Sequence, residues 1–168
     1  MFNKIKTIAK YKLTKLAVGH ELLLATKGKE GIVPEKTPNG ITIMDATGHL
    51  QGPDARAFGS VVPSELKGLE STVFITRQLA SCEILLKSVL MHEEGHVVLD
   101  AVPECGWTML EAELACDRYM MERVSNDECM AFLAMLEILN QGMFTSGQLE
   151  AYDTNIARIT ALKAHLGL

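Results

Sequence analysis

The chain has no apolar run approaching eighteen residues, so no membrane-spanning helix is expected. Its basic N-terminus is no secretory leader by pattern, because the apolar stretch from Leu16 to Ala25 is interrupted by Gly19-His20-Glu21. The four cysteines, Cys82, Cys105, Cys116 and Cys129, include no CxxC pair and are too sparse for a disulfide framework. Free thiols in a reducing compartment are therefore expected, with the protein soluble and cytoplasmic. Aromatic residues make up only 5% of the chain, whereas there are nine methionines, among them Met109, Met120, Met121, Met130 and Met135. That balance predicts a Met-rich helical core. Positive charge is scarce outside the first 29 residues, which hold seven lysines against one glutamate. The formal net charge is −5, so the remainder carries −11. Such an acidic body excludes nucleic acid as an expected partner.

At 168 residues and 48% hydrophobic content the chain can bury a core as a single domain. Residues 1–29 read as a basic amphipathic helix, with Phe2, Ile5, Ile8, Leu13 and Leu16 on its apolar side. It is expected to pack on the body with its lysines solvated, and docking on an acidic partner or membrane surface is the rival reading. Residues 30–78 form a hairpin, loop and strand region. Gly28 to Gly31 is a hinge, Thr37-Pro38-Asn39-Gly40 is a turn with Ile41–Met44 as return strand, and 47–63 is loop. Residues 79–168 are expected to be a helical core. Thr108/Glu111, Ser125/Glu128 and Thr145/Gln148 each resemble capping boxes, the last two opening helices to about Leu139 and over 147–165.

The chemistry is concentrated in His92-Glu93-Glu94-Gly95-His96. The apolar spacing of Ile84, Leu85, Val89 and Leu90 predicts a helix that runs through this segment. Histidines four residues apart then project from one face, as two ligands of a catalytic zinc require. Glu93 falls about 100° round the helix, near enough to take a proton from a zinc-bound water. After a break at Pro103–Trp107, a second helix carries Glu113 and, one turn on, Asp117. A carboxylate is the usual third ligand beside two histidines in zinc hydrolases, and capping accounts for the rival Glu111 without metal. Asp117 would bind the outer N–H of a ligand histidine and fix its tautomer.

In combination these motifs, over about Thr72 to Val124, resemble the gluzincin metallopeptidases, especially their minimal members. That family places a strand before the active-site helix, matched by Val73–Thr76, then HExxH, then Glu-x-x-x-Asp on a second helix. The resemblance implies one zinc per chain on His92, His96 and Glu113, Glu93 as general base, and Asp117 behind the ligands. It also implies a phage- or bacterium-encoded protein, in the host cytoplasm or the virion. Two positions depart from the family pattern: Glu94 replaces an apolar residue, adding charge near the site, and Cys116 replaces alanine.

The expected architecture is α+β and mainly helical, zincin-like, with a small sheet packed on the HExxH helix and a C-terminal helical bundle. An edge strand near Val73 would hold an extended peptide across the zinc. The expected activity is zinc-dependent hydrolysis of a peptide bond in a protein or peptide substrate. The alternative is a non-catalytic zinc protein, structural or partner-binding, on the same fold. Tyr119, Arg118, His20, His49 and Tyr152 are the candidates for stabilising an oxyanion.

Overall fold

The computed structural model describes residues 2–48, 57–60, 72–146 and 148–168. Six α-helices and three strands follow in chain order: α1 (Phe2–Thr26), β1 (Thr42–Asp45), β2 (Ala57–Ser60), β3 (Thr72–Ile75), α2 (Arg77–Ala80), α3 (Glu83–Val98), α4 (Met109–Met121), α5 (Asn126–Ser146) and α6 (Leu149–Leu166). The architecture is α+β and mainly helical, as expected. α3 lies at its centre, packed on one side by β2 and β3 and on the other by α4 and α5, while α6 closes against α4 and α5.

The sheet has the order β1-β3-β2. β1 runs parallel to β3, with Thr42 opposite Thr72 and Asp45 opposite Ile75, and β2 runs antiparallel to β3. Val73 and Ile75 alternate into the core and are fully buried, as the two-residue period of a strand requires. The strand near Val73 is therefore central, not an edge, because both of its hydrogen-bonding sides are taken by β1 and β2. The expected hairpin over 32–45 forms only its turn: Thr37 and Ile41 pair, Gly40 donates to the Thr37 carbonyl, and a single bridge joins Lys36 to Thr42. β1 takes β3 instead as its main partner. Part of the expected 47–63 loop is strand β2; His49 lies outside the described residues. Gly31 is no free hinge. Its N–H donates to the Arg77 carbonyl at 2.8 Å, and an added Cβ would sit 2.5 Å from the Ala80 carbonyl group.

The helix termini follow the local chemistry. Thr108 and Glu111 form a complete capping box at the start of α4, after a 3₁₀ turn at Pro103–Cys105 and Gly106 at φ 89°. Ser125 and Glu128 cap α5 in the same reciprocal way. The third expected box fails: Thr145 lies inside α5, which runs to Ser146 rather than Leu139, and α6 starts at a Gln148 cap with no side-chain bond. Beyond Leu139 the helix continues with Asn140 buried, and α1, α3 and α6 all pack on α5.

α1 spans the expected residues but buries a different face. Val18, Leu22 and Ala25 are in the core, whereas Ile5, Ile8, Leu13 and Leu16 are exposed; the side chain of Phe2 lies outside the described part. The expected apolar side is thus turned away from the body. The helix is fixed on α5 by packing and by charge: Lys10 pairs with Asp127, and Lys15 with Glu137, which also pairs with Lys163 of α6 at 2.6 Å. Burial pushes the Glu137 carboxyl up, but the two lysines outweigh it and hold its pKa at about 2, against an ordinary 4.5. Because the folded value is the lower one, this stabilisation is complete above pH 4.5 and is lost as pH falls to about 2. Glu137→Gln should lower the urea-unfolding free energy by roughly 2 kcal/mol at neutral pH, allowing for partial solvent screening. The difference from the wild type should shrink towards zero as the pH approaches 2.

Candidate metal centre

α3 and α4 pack against each other, with Gly95 facing Cys116. A Cβ on Gly95 would lie 3.1 Å from the Cys116 Cα and 3.2 Å from its Cβ, so the small residue at 95 permits the close crossing. This contact sets the face of α4 that bears Glu113 and Asp117 against the face of α3 that bears His92 and His96. Cys116 is buried, and burial with the neighbouring carboxylates pushes its thiol well above the usual range. It stands as a packed thiol, and the group that could hold a metal ion consists of His92, His96 and Glu113.

The ligand atoms of these three residues lie within 4.8 Å of one another. His92 Nε2 is 3.2 Å from Glu113 Oε2, His96 Nε2 is 3.5 Å from Glu113 Oε1, and the two Nε2 atoms are 3.3 Å apart. The opposite ring nitrogens are already engaged. His92 Nδ1 donates to Asp117 Oδ1 at 2.9 Å, and His96 Nδ1 donates to the Ala101 carbonyl at 2.8 Å. Neither the Asp117 carboxylate nor the Ala101 carbonyl can donate, so each Nδ1 carries a hydrogen, and in the neutral ring Nε2 is the nitrogen left with a lone pair for a ligand. Two imidazole nitrogens and a carboxylate oxygen aimed at one point are the donor set that fits zinc. His92, His96 and Glu113 are brought together, Asp117 lies on the outer nitrogen of His92, and Glu93 is buried next to His92 on α3.

Electrostatics tie the group together. Burial and the Arg158 charge act to lower the His92 pKa, but its bonds to Asp117 and Glu113 prevail and raise it to about 9. His96 is raised as well, its bond to Glu113 outweighing burial. Glu93 is nearly fully buried, and desolvation raises its pKa against the pull of His92 and His96. Burial also opposes the ionisation of Glu113 and Asp117, yet Arg158 and the histidines hold both well below the usual carboxylate range.

Arg158, on α6, is the residue that sequence reasoning missed. It is buried; its Nε and Nη2 each donate to Asp117 at 2.8 Å, and its Nη1 pairs with Glu113 Oε2 at 2.6 Å. Phe132 lies beneath both Arg158 and His92, with ring-centre distances of 5.6 and 5.3 Å. A signal for it exists in the chain. Asn155, Ile159, Leu162 and Leu166 form the buried stripe of α6, and Arg158 is the cation set into that stripe, where an unpaired charge would be costly.

The described candidates for oxyanion stabilisation, Tyr119, Arg118, Tyr152 and His20, have other surroundings. Tyr119 donates to Glu94 at 2.7 Å, Arg118 lines the outer side of α4 with Glu111 and Leu114, and Tyr152 lines a groove with Lys15 and Glu137. His20 is exposed on α1 and His165 exposed in the last turn of α6. Glu94, expected to add charge to the site, is instead a structural tie. Fully buried, it accepts from Thr37, Asn39 and Tyr119. Burial raises its pKa, but these bonds lower it further, and the carboxylate fastens the 37–40 turn and α4 to α3.

Removing the guanidinium would leave the buried Asp117 and the partly buried Glu113 with only the histidines as partners. Arg158→Ala should therefore cost the metal-free protein about 3–5 kcal/mol of stability in urea denaturation, far more than the loss from an exposed arginine.

No family model, curated protein or solved structure matches this chain, which leaves the geometry of the site as the ground for its function.

Proposed function

We propose that this protein is a zinc-dependent peptidase of gluzincin type, on a zincin-like arrangement of the α+β fold, cutting a peptide bond in a protein substrate. The observation that carries the reading is the pair of imidazoles on α3 whose Nδ1 atoms are both occupied and whose Nε2 atoms converge on Glu113. With Glu93 adjacent, the site joins a three-ligand set to a buried base, which a metal held only for structure does not require.

His92, His96 and Glu113 would hold the ion, which when bound supplies a Lewis acid for the scissile carbonyl and lowers the pKa of water. Glu93 takes a proton from the attacking water and returns it to the leaving amine. Its raised pKa suits both transfers, because a base poised nearer neutrality gives the proton back more readily. Asp117 and the Ala101 carbonyl keep the two rings in the ligating tautomer. Arg158 offsets the charge of Glu113 and Asp117 and holds both in place from α6. An extended peptide has one strand to join beside α3. β2 packs against α3 and, among the described residues, pairs only with β3, which leaves its outer edge for main-chain hydrogen bonds.

One observation favours the second reading, a zinc that serves stability: the candidate ligands come from two packed helices, α3 and α4, which a bound ion would tie together. Glu93→Gln separates the two. In the peptidase it keeps zinc, by elemental analysis, and loses about a hundredfold or more of the cleavage of denatured casein. Wild-type protein that carries zinc, cleaves nothing and unfolds when chelated would assign the ion to structure.

A further inference from the structure

α1 is apolar on two opposite faces, and among the described residues only one of them is packed against the rest of the fold. Val18, Leu22 and Ala25 are buried on the side that packs against α5. On the far side Ile5, Leu13, Leu16 and Leu23 are 59%, 69%, 72% and 50% exposed. With Ala9 and His20 between them they follow the i, i+4, i+3 rhythm of one helix stripe. At about 100° per residue it lies roughly opposite Tyr11 and Val18, and it runs about 27 Å along the helix.

The charges are sorted between the same two faces. Lys10 and Lys15, turned towards the body, are neutralised by Asp127 and Glu137. The single acid of the helix, Glu21, accepts from the backbone N–H of Ile84 at 3.3 Å and so also faces the body. Lys6 and Lys12 flank the exposed stripe on either side, and Lys27 stands at its end. All three are exposed and, among the described residues, form no ion pair. The outer face thus joins an aliphatic strip to uncompensated positive charge, on a protein whose remaining residues carry −11.

We infer that this outer face of α1 lies on an anionic phospholipid surface, with Ile5, Leu13, Leu16 and Leu23 in the acyl boundary and Lys6, Lys12 and Lys27 at the headgroups. A second copy of the chain fits poorly, because stripe-to-stripe pairing would set the flanking lysines of one copy against those of the other. The stripe from Ile5 to Leu23 holds no aromatic anchor of the kind that fills a pocket on a protein partner. Aliphatic side chains bordered by lysines whose stems reach outward suit a lipid interface instead. No described helix is long and apolar enough to cross a membrane, so the contact is that of a helix lying in the surface. The acidic remainder would be repelled by the same lipids, which orients the protein with α1 down.

The test is co-sedimentation of the full-length protein with vesicles of phosphatidylcholine alone or mixed with phosphatidylserine. Binding is expected only to the mixed vesicles and should weaken as salt is raised. Leu13→Glu/Leu16→Glu and, separately, Lys6→Glu/Lys12→Glu should each reduce it by roughly tenfold or more. All four positions are exposed, so circular dichroism should report unchanged folding. Failure to bind the mixed vesicles, or binding that neither variant weakens, overturns the proposal. So does a wild-type dimer that Leu13→Glu/Leu16→Glu converts to monomer, which would make the stripe a self-interface. Retention on polyglutamate without vesicle binding would assign it to an acidic protein. None of these outcomes depends on the zinc reading, since no residue of the stripe belongs to the metal centre.

Discussion

Balancing buried charge at the crossing of α3 and α4 is the constraint on which the remaining structure depends. Glu113 and Asp117 are set against two histidines in a low-dielectric interior, where unpaired carboxylates would be costly. Arg158 answers both at once, with two bonds to Asp117 and one to Glu113. Because it comes from α6, the last helix must close over the site before the charges are satisfied. The packing of α6 on α4 and α5, with Phe132 beneath the guanidinium, is therefore coupled to the geometry of the ligand residues. An ion bound there, as proposed, would add to a network that already holds the side chains in place.

A second buried carboxylate serves the same helix from its other side. Glu94 gathers Thr37, Asn39 and Tyr119, so the turn after α1 and the middle of α4 are both fastened to α3. Adjacent glutamates thus take opposite tasks. Desolvation raises the pKa of Glu93, which the ligands flank, whereas three donors keep Glu94 ionised. Position on the helix decides which carboxylate lies beside the two histidines and which fastens neighbouring segments to α3.

The local chemistry of the site was legible in the chain because its determinants are local: four-residue spacing for His92/His96 and Glu113/Asp117, and a capping box that fixes where α4 begins. What could not be read depends on partners far away in sequence. Arg158 lies 41 residues from Asp117, and its role appears only when α6 meets α4. The facing of α1 was misjudged because the helix has two apolar stripes, and periodicity alone cannot say which one α5 will cover. The strand near Val73 read as an edge for the same reason: a four-residue strand carries no record of its neighbours, and both β1 and β2 pair with it. The Thr145 box failed because α5 runs through it to Ser146.

The claim at the centre of this account is that His92, His96 and Glu113 bind one ion through two imidazole nitrogens and a carboxylate oxygen. X-ray absorption at the zinc edge, on full-length protein loaded with stoichiometric zinc and freed of excess, tests it most directly. The account predicts a first shell of nitrogen and oxygen with imidazole scattering from two rings and no sulfur, lost in His92→Ala/Glu113→Ala. Failure to retain zinc, or a shell containing the Cys116 sulfur, would contradict it.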